Sequence, residues 1–354
     1  MPGPDDSSLP AAGGTGGPSL SVVVVTHDSA PSLRRTLPAI VAELRAGDEL
    51  IVCDNQSADD TLAVVADLAP GARLIETGGN LGFGAACNRG AAAAAGELLL
   101  FLNPDNVVEP GFRDAIELPA LEGRDWGAWQ GLVADAEGRI NTRGGVVHFT
   151  GIAWAGGAGE PRAAAPPGPE EVTFPSGACL AIPRAAWERV GGFSEQYFLY
   201  HEDTDLGLRL LLAGMPIGIE PRAVSDHDYE FDKGPDKWRY LERNRWATLI
   251  RDYPGRLLLL LTPAFIATEL SLLAVAAVGG WLSPKLKANV DVARDLSRLL
   301  AERRAVQATA AVDAAGFAQH LVADLDSEFL GAVGRSRLIR TMLRGYWALV
   351  QRLL

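Results

Sequence analysis

Cysteine is scarce in this chain of 354 residues. Cys53, Cys87 and Cys179 are an odd number at wide spacings that fit neither a disulfide framework nor a metal-ligand motif, and a reducing compartment suits them best. A basic excess is missing too. With 44 acidic residues against 32 basic ones the net charge is −12, which argues against nucleic acid as a partner, because neutralising phosphates needs the opposite balance. Residues 1–18 have no basic stretch leading into an apolar one, so they read as a disordered tail and not as a signal peptide. There is no internal repeat. The 48% hydrophobic and 21% charged content is that of a folded protein, and the length suits about two domains.

The charge is unevenly spread. Residues 251–354 carry 13 basic and 9 acidic side chains, a net +4, which leaves −16 for the rest. An acidic body with a tail that keeps different company, such as an anionic membrane surface, is the expectation.

From residue 19 short apolar runs alternate with helical stretches. Strands are expected at 21–26, 50–54, 72–77 and 97–102, and helices at 31–46, 58–68 and 83–95. This order implies an α/β fold with a mainly parallel sheet flanked by helices, binding ligands beyond the carboxyl ends of its strands. From 126 to 174 the periodicity weakens toward hairpins and a mobile loop at 156–171. A strand at 179–183 and helices at 184–190 and near 204–213 follow, and after Pro235 the chain reads as helical. The expected units are the tail 1–18, a catalytic domain 19–252 and a helical C-terminal region 253–354.

Polar residues gather where the strands should end. Thr26-His27-Asp28, Asp54-Asn55-Gln56-Ser57 and Asn103-Pro104-Asp105 follow three of them, the pattern of a nucleotide site, although helix capping accounts for any one alone. Asn80, Gly82, Gly84 and Asn88 sit around a helix mouth where backbone N–H groups could meet a phosphate or sugar. As a dinucleotide fingerprint this segment fails, since Cys87 replaces the third glycine. Asp105 could supply the carboxylate that a divalent cation needs while diphosphate and water fill its other positions. His201, Glu202, Asp203 and Asp205 put four titratable groups in five positions; one is assigned as a general base and the rest to capping or positioning, with Asp203 as a plain N-cap the bland alternative. Asp226-His227-Asp228 reads as another loop at the same rim.

Taken in order, VVVVTHDS, IVCDNQSADDT, NLGFGAACNRG, LLFLNPD and SGACLAIPRAAWERVGGFSEQYFLYHEDTDLGLRL resemble the family 2 glycosyltransferases over residues 19–252, most closely a rhamnosyltransferase-like branch. The resemblance implies the glycosyltransferase-A fold and inverting transfer of a sugar, rhamnose in that branch, from a nucleotide diphosphate donor to a lipid-linked or polysaccharide acceptor. It implies Asp203 as base, and Thr26, Asp28, Asp54, Asn80, Gly82, Asn88, Asn103 and Asp105 around the donor. Ser176, Gly177 and Glu202 would position the acceptor, and Asp105 and His227 would hold Mg²⁺ or Mn²⁺. Asn103 stands where the family's first metal-site acid falls. A nucleotidyltransferase is the alternative enzyme, but its Gly-rich basic loop is absent after the first strand; a non-catalytic binding module would have no need of Asp203.

Residues 257–282 contain one ionisable group, Glu269, and one proline, Pro263. Two short helices lying in a membrane interface or packed on the catalytic domain are expected, with a single span as the alternative. In 335–354 a row of Leu338, Ile339, Met342, Leu343, Tyr346, Leu349, Val350 and Leu353 opposes Arg337, Arg340, Arg344 and Arg352, which suits an interfacial anchor; packing on its own chain or on a twin chain is the alternative. The enzyme is therefore expected in the cytoplasm, peripheral at the inner face of the cell membrane.

Overall fold

The computed structural model describes residues 17–227, 236–326 and 336–354. The expected tail, except Gly17 and Pro18, and Asp228 lie outside them. A mixed, mostly parallel sheet forms the body. Its parallel part is β1 (Leu20–Thr26), β2 (Glu49–Asp54), β3 (Arg73–Glu76) and β4 (Leu98–Leu102), ordered β3-β2-β1-β4. β1 and β4 are continuous apolar runs because helices cover both faces of the sheet. α1 (Ala30–Glu43), α2 (Thr61–Leu68) and α3 (Phe83–Ala93) make the crossovers. α3 lies close because residue 90 is glycine: a Cβ there would sit 2.4 Å from Val23.

Beyond β4 come β5 (Asn106–Val108), α4 (Phe112–Ile116), α5 (Leu118–Leu121), β6 (Ala128–Ala134) and the short strands β7 (Ile140–Thr142), β8 (Gly145–Val147), β9 (Ala153–Ala155) and β10 (Glu170–Glu171). β11 (Cys179–Pro183) runs antiparallel between β4 and β6, and β12 (Ile217–His227) runs parallel to β6. Two reversals restore the direction. The carboxyl end of β12 therefore falls on the same rim as those of β1, β2 and β4, and so does the start of β11. The loop 156–171 is anchored: Arg162 pairs with Glu109, Arg143 donates to the Ala164 carbonyl, and β10 pairs with β12.

α6 (Arg184–Val190) and α7 (Glu202–Leu212) follow β11. α7 begins at Glu202, so Asp203 stands in its first turn and His201, not Asp203, holds the N-cap position. After residue 235 every long element is helical: α8 (Lys237–Asp252), α9 (Gly255–Val278), α10 (Leu282–Ala308), α11 (Ala314–Ala318) and α12 (Arg337–Leu353). α9 is one helix and not two, with Pro263 inside it, and by length and composition it could cross a membrane. Glu269 does not face outward. It bonds Lys285 and Asn289 of α10 and Arg245 and Trp246 of α8, and Lys285 in turn bonds Glu242 at 2.6 Å. Two acids and two bases thus meet in a buried cluster that balances its charge and joins α8, α9 and α10. Leu257, Leu261, Phe265, Val306, Phe317 and Trp347 of the later helices share one apolar core with Val23, Phe101 and Leu206 of the body. All three cysteines are buried free thiols, and burial pushes the Cys53 and Cys179 thiols up to about 12.

Candidate active site

The rim opens onto a cleft of about 1160 Å³. Thr26, Asp28, Asn80, Gly82, Asn103, Asp105, Ser176, Gly177, Glu202, Asp203 and His227 all line it, so the fold gathers eleven of the thirteen expected site residues from across the chain. Asp54 and Asn88 do not line it. Asp54 is 2% exposed, and its two oxygens accept from Thr26 Oγ1 (3.1 Å), Ser57 Oγ (2.5 Å) and Ser57 N (3.0 Å). It orders the β1 and β2 ends, while the carboxylate on the cleft at that place is Asp28, in the left-handed region at φ +49°. Asp28 is fixed in turn by the Ala58 and Asp59 amides. Asn88 binds the Phe193 backbone through both ends of its amide and so fastens α3 to the turn before α7.

Gly82 is on the cleft, but its absent side chain serves packing: a Cβ would lie 2.4 Å from the Phe198 carbonyl, which also accepts from Phe83 N. Asn55, which the sequence does not single out from its cluster, also lines the cleft. It donates to the Gly82 carbonyl at 3.1 Å and accepts from Thr77 Oγ1 at 3.0 Å.

On the opposite wall, Asn103-Pro104-Asp105 leaves β4 in a turn hung from the Ala178 carbonyl, which accepts from Asn103 N and from Asn106 Nδ2. Thr36 of α1 donates to the Pro104 carbonyl at 2.9 Å. The turn brings Asp105 Oδ1 to 3.0 Å from His227 Nε2, with Asn103 Nδ2 at 3.3 Å from the same nitrogen. His227 is the last residue of β12, 2% exposed, and not the loop residue its sequence suggests. A carboxylate partly open to the cleft beside an imidazole nitrogen fits a hard divalent cation that takes its other ligands from phosphate and water. No group of three or more His, Cys, Asp or Glu ligands occurs among the described residues, so two protein ligands are what the site offers.

Asp203 is placed by two devices. Tyr200 and His201 are consecutive left-handed residues at φ +68° and +65°, a conformation that costs about 1 kcal/mol or more each in residues with side chains. Asn244 of α8 holds them by donating to the Leu199 carbonyl at 2.9 Å and the Tyr200 carbonyl at 2.8 Å. The Gly177 amide then donates to Asp203 Oδ2 at 3.2 Å. Burial lifts the Asp203 carboxyl above its ordinary range and outweighs these amide donors, which pull it down. Asp205 turns the other way, into the core, where Arg209 and Arg251 hold it well ionised. The acids two positions apart thus take separate roles. His201 is buried and stays neutral, its pKa held down at about 4 by burial and the nearby Arg245. The arrangement offers one half-buried carboxylate able to take a proton, facing a cleft whose other wall can neutralise a diphosphate.

A model described as "Glycosyl transferase family 2" matches residues 21–125, and one described as "Glycosyl transferase family group 2" matches 167–290. The chain is 32% identical over 258 residues to N-acetylglucosaminyl-diphospho-decaprenol L-rhamnosyltransferase of Mycobacterium tuberculosis (strain H37Rv), covering 65% of this chain and 83% of that one. It is 30% identical over 218 residues to O-antigen biosynthesis protein RfbC of Myxococcus xanthus, covering 57% of this chain and 16% of that one. Among solved structures, GalNAc-T7 with UDP, GalNAc and Mn²⁺ gives a TM-score of 0.58 at 14% identity, covering 80% of this chain and 58% of that one. S. aureus TarS 1–349 in complex with UDP gives 0.50 at 16% identity, covering 94% and 90%. At these identities the structural likenesses show the fold alone, which is the one the sequence resemblance implies.

The Asp203 environment makes a stability forecast. A carboxyl whose folded-state pKa is raised binds its proton more tightly folded than unfolded, so its charge destabilises the fold at neutral pH, and that cost fades as the pH falls through the raised value. Asp203→Asn should therefore raise the melting temperature at pH 7 by roughly 1–4 °C, with the gap closing in acid. Calorimetry across pH checks this; a variant less stable than the parent at pH 7 would contradict it.

Proposed function

The chain belongs to glycosyl transferase family 2, and from that premise we propose that it is an inverting enzyme that transfers a sugar, rhamnose, from a nucleotide diphosphate donor to a lipid-linked sugar acceptor. The observation that carries the mechanism is Asp203, half-buried with a raised pKa on the same cleft as Asp105 and His227. In this reading the donor lies along the strand-end rim, between Asp28, Asn55 and Asn80 on one side and Asn103 and Asp105 on the other. An acceptor hydroxyl attacks the anomeric carbon from the Asp203 side. Asp203 takes the hydroxyl proton as the new C–O bond forms, and the bond from the anomeric carbon to the diphosphate oxygen breaks, leaving its electron pair on the departing nucleotide. Asp105 and His227 would hold a divalent cation, whose chemistry is to neutralise charge developing on the diphosphate. Gly177 keeps the base aimed, and the buried wall of His201 and Glu202 excludes water. The identity to a rhamnosyltransferase acting on a diphospho-decaprenol sugar supports the choice of sugar and acceptor class.

We further propose that the enzyme works in the cytoplasm, on the inner face of the cell membrane. α9 shows its outer side as an apolar stripe of Leu259, Ile266, Leu270 and Val278, the last 93% exposed. α12 docks through Trp347, stacked on Phe149 at 5.0 Å, and through Tyr346, whose hydroxyl donates to the Leu260 carbonyl at 2.6 Å. Of the apolar row expected on one face, Leu338, Ile339, Met342, Leu349 and Leu353 remain outward, beside exposed Arg337 and Arg352. Apolar burial plus cationic flanks supports binding to an anionic bilayer. The core contacts of Trp347 make deletion of the helix a poor test, whereas exposed positions can be changed without touching the fold.

Two measurements test this section. Asp203→Asn should cut turnover by at least about 10³-fold while the donor's Kd, by calorimetry, stays within about threefold, and Asp105→Ala should weaken both. Retained turnover in Asp203→Asn would remove it as base. The double variant Met342→Glu/Leu349→Glu should reduce co-sedimentation with phosphatidylglycerol vesicles about tenfold or more, and raised salt should weaken the parent's binding; unchanged co-sedimentation would assign α12 to packing alone.

A further inference from the structure

Much of the cleft has no part in holding the donor or the base. Its volume of about 1160 Å³ exceeds the usual range of a small-molecule site, and its two ends differ in chemistry. The strand-end rim is polar. At the other end the lining is Ile152, Trp154, Trp238, Leu272, Val275 and Trp281, contributed by the β8–β9 hairpin, α8, α9 and the turn before α10. Trp238 and Trp281 stack at 4.6 Å with their planes 15° apart. Asp203 and Glu202 of α7 and Glu242 and Arg245 of α8 line the same cleft.

Two features fix what this end can accept. The cluster of Glu242, Arg245, Glu269 and Lys285 balances its own charge and joins the three helices, so the charges that reach this part of the lining are paired with one another. It also reaches the outer surface: Val275 lines the cleft and is 49% exposed, on the same helix that shows Leu270 and Val278 outward. Lys237, at the start of α8, is buried on the cleft with its Nζ 5.9 Å from the Trp238 ring.

We infer that this aromatic mouth is the subsite for the first isoprene units of a polyprenyl-diphosphate acceptor, with the acceptor hydroxyl delivered inward to Asp203. The inference rests on the transfer reaction proposed above and adds to it the place where the lipid is read. Flat aromatic and branched apolar side chains suit unsaturated isoprene units, which gain by leaving water, and the site's continuity with the outer face of α9 lets the chain enter from a membrane without crossing a polar wall.

The test uses the full-length enzyme in detergent, so that vesicle docking does not limit the rate, and two acceptors with the same sugar-diphosphate head, one on a polyprenyl chain and one on a methyl group. The parent should show a KM for the polyprenyl acceptor at least about tenfold below that for the methyl one. Val275→Glu, at an exposed position, should erase most of that ratio by raising the polyprenyl KM, with kcat and donor Kd nearly constant. Val41→Glu, a surface charge on α1 remote from the cleft, should keep the parent ratio. Equal KM values for the two acceptors in the parent, or a parent ratio retained in Val275→Glu, would overturn the subsite while leaving the transfer reaction standing. A parent that glycosylates neither acceptor would overturn the transfer reaction, and the subsite with it.

Discussion

The amide of Asn244 holds the active site together. It donates to two successive carbonyls, those of Leu199 and Tyr200, and so keeps two residues with side chains in a left-handed turn that they would otherwise leave. Each such residue costs about 1 kcal/mol or more, and two buried hydrogen bonds of about 1 kcal/mol each offset most of that. The strain has a consequence. It directs α7 so that Asp203 faces the cleft while Asp205, two positions on, faces Arg209 and Arg251 in the core. A relaxed turn would rotate the helix start and turn the Asp203 carboxylate away from the cleft. Because Asn244 belongs to α8, Asp203 is set by the same helix that carries the buried Glu242 and Arg245 pairs. The C-terminal helices are thereby coupled to the chemistry through packing.

The second wall depends on strand direction. Had β12 paired directly with β4 in antiparallel fashion, His227 would have finished at the far side of the sheet. With β11 and β6 interposed, two reversals bring it back to the rim, 3.0 Å from Asp105. A residue 122 positions away in the chain becomes a neighbour through sheet topology alone, and Ala178, just ahead of β11, supplies the carbonyl that ties the Asp105 turn in place.

The parallel half of the fold was legible because continuous apolar runs such as VVVV and LLLFL leave few alternatives, and polar residues after each run mark the strand ends. β6 was not legible: Trp129, Gln130 and Gly131 hide a central strand, and Gly131 is there because a Cβ would lie 2.4 Å from the Ala223 carbonyl, a contact made by a strand some ninety residues later. Asp54 was misjudged in place, since sequence shows an acid at a strand end but not that Thr26 and Ser57 take up its oxygens. Asn244 carries no signal in sequence at all; an asparagine in mid-helix acquires its role only when the turn before α7 lies against it. Glu269 reads as an awkward acid in an apolar helix until Lys285 and Arg245 are found beside it.

With Asp203 proposed as a single base on one side of the sugar and the diphosphate on the other, one displacement and hence one stereochemical result is expected. The most direct measurement is the anomeric configuration of the transferred sugar, followed by proton NMR from nucleotide donor to product at early turnover. The account requires inversion. Retention of configuration would require the acceptor to bond on the face that the diphosphate leaves, and would contradict a single displacement assisted by Asp203 from the opposite face.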